Sequence, residues 1–308
     1  MIDYRLPRRS LVGFGVSVLL LRPRSFAGDA QAALVELGPA LEVRGAEHVP
    51  VTGPVLVACN HYGRPGFPTG WLAFAVSGTV ATRRAPGADR EIHWVMTAAW
   101  TFPESRWRRR LLTPLTRWAF RRVARVYGFI PMPPMPPAPH EVAARARAVL
   151  ETVRLARELG RTGGMIGLAP EGRDAAVGLA EPPEGVGRFL ALLVEAGLPV
   201  LPVGVWESAR RLHVAYGPVF VPEVPAERAR QDRAVAGQVM TPSPARSRFR
   251  SRGCASAHRW GTTPCVISSE RRSAPRVERS EFVRQVRSLD SGGFAASARD
   301  DVLGRRCL

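Results

Sequence analysis

The stretch PVLVACNHYGRPGF, residues 54–67, decides how this chain is read. Val55 to Cys59 run without polar interruption. Such a short continuous run suits a strand buried on both faces, as in a parallel sheet covered by helices on each side. The run breaks into Asn60-His61 and a loop carrying Gly63, Pro65 and Gly66. Loops at the carboxyl ends of strands are where α/β folds place reactive groups. A histidine there can accept a proton near neutral pH. A solvated loop histidine with no task fits the same residues taken alone.

Outward from this stretch the same texture repeats. An apolar helix is expected near 70–82 and a strand over IHWVMTA, 92–98. PMPPMPPAP, 131–139, must be extended or turn, because proline removes donors and clashes inside helices. Residues 141–159 place Val142, Ala146, Val149, Val153 and Leu159 near one helical face, with Gly160 expected as the C-cap. A strand (164–169), a helix (185–197) and a strand (199–205) follow. Residues 212–216 and 218–221 read as a final strand pair or one broken strand. No internal repeat is visible. Strands alternating with helices imply an α/β fold with a mixed, largely parallel sheet and flanking helices.

A second strand end carries chemistry. GMIGLAPEGRDAA, 164–176, runs from a strand into Glu171, Gly172 and Arg173. Glycine lets the backbone turn sharply and approach a ligand. The Arg173 guanidinium is a planar fork that matches phosphate. Arg64, three residues beyond His61, is a second phosphate candidate. A surface Glu–Arg pair and a solvated Arg are the plainer alternatives.

Composition bounds the rest. The chain has 308 residues, 45% hydrophobic and 23% charged, which excludes a wholly disordered or collagen-like chain. Basic residues number 44, all Arg, against 26 acids, for a net charge of +18 and a pI near 11.4. Polyanionic partners are expected: phosphates on lipids, nucleotides or nucleic acid. The four Cys form no C-x-x-C pair, so neither a disulfide framework nor a metal site is supported. Residues 226–308 hold 17 Arg and 8 acids, are rich in Ser and Pro, and lack apolar periodicity. They are expected to be a disordered basic tail.

At the other end, Leu11 to Leu21 is apolar and flanked by arginines. Eleven helical residues reach roughly 16 Å, against about 30 Å of bilayer hydrocarbon. The segment 1–44 is therefore read as helical and membrane-associating without spanning, with a buried helix as the alternative. Residues 100–129 interleave Trp100, Trp107, Trp118, Phe120 and Tyr127 with eight arginines, which suits a headgroup interface. This leaves 45–225 as the α/β domain.

Taken in order, the pieces resemble the phospholipid/glycerol acyltransferase family, which includes 1-acyl-glycerol-3-phosphate acyltransferases. Asn60-His61 matches the start of its N-H-x-x-x-x-D block. Gly128-Phe129-Ile130-Pro131 matches its G-F-I-P segment, Pro170-Glu171-Gly172-Arg173 part of F-P-E-G-T-R, and Val200-Leu201-Pro202-Val203 its V-P-V strand. The likeness covers residues 45–222. Three features depart from it. Gly66 stands where the family has Asp, and Arg173 follows Glu171 by two residues rather than three. Pro133 and Pro134 occupy the stretch where the family has an Arg.

The resemblance implies a membrane-associated enzyme on the cytoplasmic face. It would move a fatty acyl group from acyl-CoA or acyl-carrier protein to a lysophospholipid or glycerol-phosphate hydroxyl. No cofactor beyond that thioester co-substrate is implied. His61 would be the general base, and Asn60 would position the loop or stabilise the oxyanion. Arg64, Glu171, Gly172 and Arg173 would bind the acceptor. The alternatives are a catalytically impaired relative that binds lipid phosphates, or a nucleic-acid-associated protein driven by the basic tail. Nucleic acid is the less expected partner.

Overall fold

The computed structural model describes residue 4 and residues 8–37, 40–65, 67, 70–102, 105–134, 141–173 and 178–240. Two helices come first, α1 (Arg8–Leu20) and α2 (Phe26–Leu37), then strands β1 (Leu41–Arg44) and β2 (Val55–Cys59). Next are α3 (Gly70–Arg83), β3 (Ile92–Thr97), α4 (Arg106–Tyr127) and β4 (Ile130–Met132). The chain continues through α5 (Val142–Thr162), β5 (Met165–Leu168), α6 (Val186–Glu195), β6 (Val200–Ser208), β7 (Arg211–Tyr216) and α7 (Arg228–Met240).

The run at 55–59 is the central strand of a seven-stranded sheet ordered β1-β7-β6-β2-β5-β3-β4. Its side chains divide as a doubly covered strand requires. Val55, Val57 and Cys59 enter the core with Ala33, Trp71, Val76 and Val80 of α2 and α3. Leu56 and Ala58 enter the opposite core with Val153, Leu190, Leu193 and Val235 of α5, α6 and α7. All five residues of β2 are buried. Each buried Val or Leu contributes about 1.5–3 kcal/mol.

Six neighbouring strand pairs hold the sheet together, and only β6–β7 is antiparallel. From β2 the chain crosses to β3 and β4, then returns to insert β5 between β2 and β3. It then adds β6 on the other side of β2. Ala58 of β2 stands opposite Leu168 of β5. The loops after these two strands therefore leave side by side, at the point where the strand order reverses. Such a point is the usual ligand crevice of an α/β sheet.

Several sequence expectations are corrected. Gly160 lies inside α5, and the C-cap is Gly163 at φ 82°. Gly160 is needed for another reason: a Cβ there would stand 2.6 Å from the Ala196 carbonyl oxygen. The 131–139 segment is extended as expected where it is described: it begins as edge strand β4, where Pro131 costs no interior ladder bond; residues 135–140 lie outside the described residues. Strand β6 runs on to Ser208 and turns into β7 through Ala209 and Arg210, both at positive φ. Phe220 makes a single bridge to Val200, so 218–221 is no strand.

Both ends of the domain are also redrawn. The 1–44 segment does not stand apart. Ala30 and Ala33 of α2 are buried, and β1 pairs with β7 inside the sheet. Residues 226–240 are not an unpacked tail. Val235, Ala236 and Val239 of α7 are buried, and Asp232 accepts the main-chain N–H groups of Gly185 and Arg188 at the start of α6. The weak apolar pattern of α7 hid this packing. The tail expectation for 241–308 lies outside the described residues.

Candidate active site

Asn60 is the first residue past β2. Its Nδ2 donates to the Val205 carbonyl at 2.8 Å, and its Oδ1 accepts the Val205 N–H at 2.6 Å. The amide thus imitates one more residue of backbone ladder and pins the end of β2 to β6. Its hydrogen-bonding capacity toward Val205 is used structurally. Of the two roles implied for Asn60, this geometry serves loop positioning.

His61 follows, half-buried at the strand end. Its main-chain N–H donates to Glu171 Oε1 at 3.1 Å, and Glu171 Oε2 accepts the Ala180 N–H at 2.7 Å. Glu171 is fully buried. A buried carboxylate is tolerated only where strong donors replace water, and here two main-chain amides do so. The strand-end loops thus meet through Glu171, which ties the His61 loop to the segment near 180. Glu171 acts on the backbone of His61 in this arrangement, rather than extending toward solvent as an acceptor ligand would.

Gly172 turns the chain at φ 61°, in the left-handed region that favours glycine. Arg173 comes next and is exposed. Its side chain makes no hydrogen bond or ion pair among the described residues. Gly66 and Asp174 lie outside the described residues.

Arg64 is placed differently from the expectation. It clasps Glu207 at the end of β6, through Nε to Oε2 and through Nη2 to Oε1 at 2.8 Å; Nη1 donates to the Pro65 carbonyl at 2.9 Å. Tyr4 and Tyr62 donate their hydroxyls to the same carboxylate at 2.6 and 2.9 Å. Three of the five Arg64 donors are engaged and its charge is neutralised. The phosphate-binding expectation for Arg64 is therefore corrected: it fastens the His61 loop to β6. Burial alone would raise the Glu207 carboxyl, but the bonds from Arg64, Tyr4 and Tyr62 more than reverse this and hold it below its ordinary value. The same burial and the same carboxylate push the Tyr4 and Tyr62 hydroxyls up.

Three anchors thus converge on 60–64: a side-chain amide, a buried carboxylate and a clasped guanidinium. Sequence reasoning missed Glu207, Tyr62 and Tyr4. Glu207 lies 143 residues from Arg64, and nothing in the local pattern of β6 announces the contact.

Away from the strand ends, α1 exposes Leu11, Val12, Val16, Leu19 and Leu20. On α4, Trp107, Leu111, Leu115 and Trp118 are exposed. No helix among the described residues is long and apolar enough to cross a membrane.

A half-buried histidine thus stands on a braced loop at the point where the strand order of a largely parallel sheet reverses. The family model described as Acyltransferase matches residues 40–206, more than half of the chain. The chain belongs to that family, and it has the α/β fold that its four motif blocks imply. The search of curated proteins finds no match. Among solved structures, it is similar to the 1-acyl-sn-glycerophosphate (LPA) acyltransferase PlsC from Thermotoga maritima. The TM-score is 0.41 and the identity 15%, over 81% of this chain and 90% of that one.

Proposed function

We propose that this chain is an O-acyltransferase of glycerolipid metabolism. It moves a fatty acyl group from an acyl-CoA or acyl-carrier-protein thioester to the hydroxyl of a lysophospholipid or glycerol-phosphate-type acceptor. It works at the cytoplasmic face of the membrane without spanning it. The observation that carries the reading is His61, held at the end of β2 by the fully buried Glu171 within the matched family region.

His61 takes the proton of the acceptor hydroxyl as its oxygen attacks the thioester carbon. The C–S bond then breaks, and the leaving thiolate takes that proton, so product ester and free thiol are formed and His61 is restored. Main-chain N–H groups near the strand ends would stabilise the developing oxyanion. Arg173 offers its fork to the acceptor phosphate. The exposed apolar residues of α1 and α4, with the arginines of α4, support contact with a lipid surface.

The test is thiol release from acyl-CoA and acyl-carrier protein, with lysophospholipid and glycerol-phosphate acceptors, for the wild type and His61→Ala. Loss of transfer in a folded His61→Ala protein is expected. Transfer retained by that variant would remove the general-base assignment.

A further inference from the structure

Resting on the membrane-surface reading above, we infer that the cleft between the end of α1 and the second half of α4 binds the phosphate of an anionic glycerophospholipid in the bilayer. The cleft is a cavity of about 340 Å³ lined by Leu21, Arg117, Trp118, Arg121, Arg122 and Arg125.

Its arginines fall into two groups. Arg117 donates to Glu141 at 2.9 Å. Arg122 caps α1 by donating to the Val18 and Leu19 carbonyls at 2.9 and 2.7 Å, and lies 4.9 Å from the Trp118 ring centroid. These two form the frame. Arg121 and Arg125 are exposed and make no side-chain hydrogen bond or ion pair among the described residues. Arg117, Arg121 and Arg125 sit four residues apart along one helical row, where like charges repel. Glu141 relieves only the first. The row is therefore unfavourable without an anion, and a phosphate oxyanion between Arg121 and Arg125 removes that repulsion through charge-assisted bonds.

The surroundings identify the occupant. Leu19 and Leu20 at the end of α1, and Leu111, Leu115 and Trp118 on α4, are exposed. A soluble phosphate or an acidic protein answers the charge but leaves these side chains in water. An anionic lipid answers both, with its phosphate in the cleft and its hydrocarbon beside the leucines. The segment 241–308 does not fit, since it carries 14 Arg against 6 acids and is repelled. A second copy of the cleft is repelled for the same reason.

The experiment is co-sedimentation with phosphatidylcholine vesicles and with matched vesicles containing phosphatidylglycerol. The proteins are the wild type, Arg121→Gln/Arg125→Gln and the control Arg108→Gln/Arg110→Gln, which removes equal charge from the same helix outside the cleft. Thermal melts establish that each variant is folded, and acyl-carrier protein is tried as a competitor. At about 1 kcal/mol per arginine near an anionic surface, the cleft variant should bind phosphatidylglycerol vesicles roughly thirty-fold more weakly. The control should lose several-fold less. Equal losses would mean diffuse attraction and would overturn the cleft while leaving membrane binding intact. Equal wild-type binding to both vesicles, or displacement from the cleft by acyl-carrier protein, would also overturn it. Binding to neither vesicle would remove the membrane reading along with the cleft.

Discussion

Replacing Glu171 by Gln tests what holds the loop that carries His61. The carboxylate is fully buried and accepts two main-chain N–H groups, from His61 at 3.1 Å and Ala180 at 2.7 Å. Gln fits the same space. Its carbonyl oxygen can keep one of these bonds, now neutral instead of charge-assisted, for a loss of about 1 kcal/mol. Its NH2 group then faces the other N–H, donor against donor. That amide is left buried and unsatisfied, at about 1–3 kcal/mol. The combined loss is roughly 2–4 kcal/mol, within the 5–15 kcal/mol of a typical domain, so the variant should still fold. Urea unfolding reads this as a lower midpoint at unchanged slope. Because the loop carrying His61 loosens, the expected kinetic effect is on kcat, by about a hundredfold for a displacement near 1 Å. The acceptor KM should change little, since Glu171 contacts backbone. A raised acceptor KM with intact kcat would show that the carboxylate touches the acceptor, as the family resemblance implies. Unchanged stability and unchanged kcat together would refute the bracing role.

Arg64→Ala should destabilise by about 1–3 kcal/mol, between an exposed and a buried ion pair, without selectively weakening phosphorylated acceptors. Selective loss of those acceptors would return Arg64 to the binding site. Glu207 titrates below its ordinary 4.5 in the folded chain. Its contribution to stability is therefore present above that pH and lost as pH falls through the depressed folded value. In Arg64→Ala the folded value moves back up toward the ordinary one, so this acid-dependent loss should shrink, as followed by denaturant midpoints across acid pH. Arg84 is buried, with its guanidinium on the carbonyls of Pro50, Gly53, Asp89 and Gly163, and burial lowers its pKa. Arg84→Ala strands those acceptors and should cost about 3–5 kcal/mol in thermal or urea unfolding; a loss below 1 kcal/mol would show that water replaces the side chain. A chain ending near Pro225 loses the buried Val235 and Val239 and the Asp232 cap of α6. It should lose about 3–6 kcal/mol relative to a chain ending at Met240, and equal melting temperatures would show that α7 is dispensable.

The central strand, its two-faced burial and the helix–strand alternation were legible because they are local. Five consecutive apolar residues between breakers leave few alternatives. The Gly160 cap was misplaced because two glycines three residues apart look alike in sequence. Only the close approach of the Ala196 carbonyl tells the interior glycine from the cap at Gly163. Helix α7 was illegible because it buries a narrow stripe, Val235, Ala236 and Val239, beneath a face carrying three arginines. At the site, the residues brought together were visible as separate blocks. Their connections were not, because each spans more than a hundred residues: 110 from His61 to Glu171 and 145 from Asn60 to Val205.

Arginine marks the limit of reading function from residue type. The sequence offered Arg173 as a phosphate candidate and Arg64 as a second one, beside two strand ends. The fold separates them by what neighbouring elements supply. Strand β6 brings a carboxylate to Arg64 and neutralises it. The turns around Arg84 bring four carbonyls and make it a structural staple. Arg122 is held by the end of α1. Among the arginines considered at the two sites, Arg173 by the active site and Arg121 and Arg125 on α4 meet no protein acceptor among the described residues. A phosphate needs a guanidinium whose donors are not already satisfied, because displacing a charge-assisted protein partner offsets most of the gain. The proposed acceptor phosphate is therefore assigned to Arg173, and the proposed bilayer phosphate to α4. Arg173→Ala should accordingly impair phosphorylated acceptors without changing vesicle binding, and Arg121→Gln/Arg125→Gln should do the reverse when acceptors are presented in soluble form. If either variant impairs both functions, the two anion sites are one.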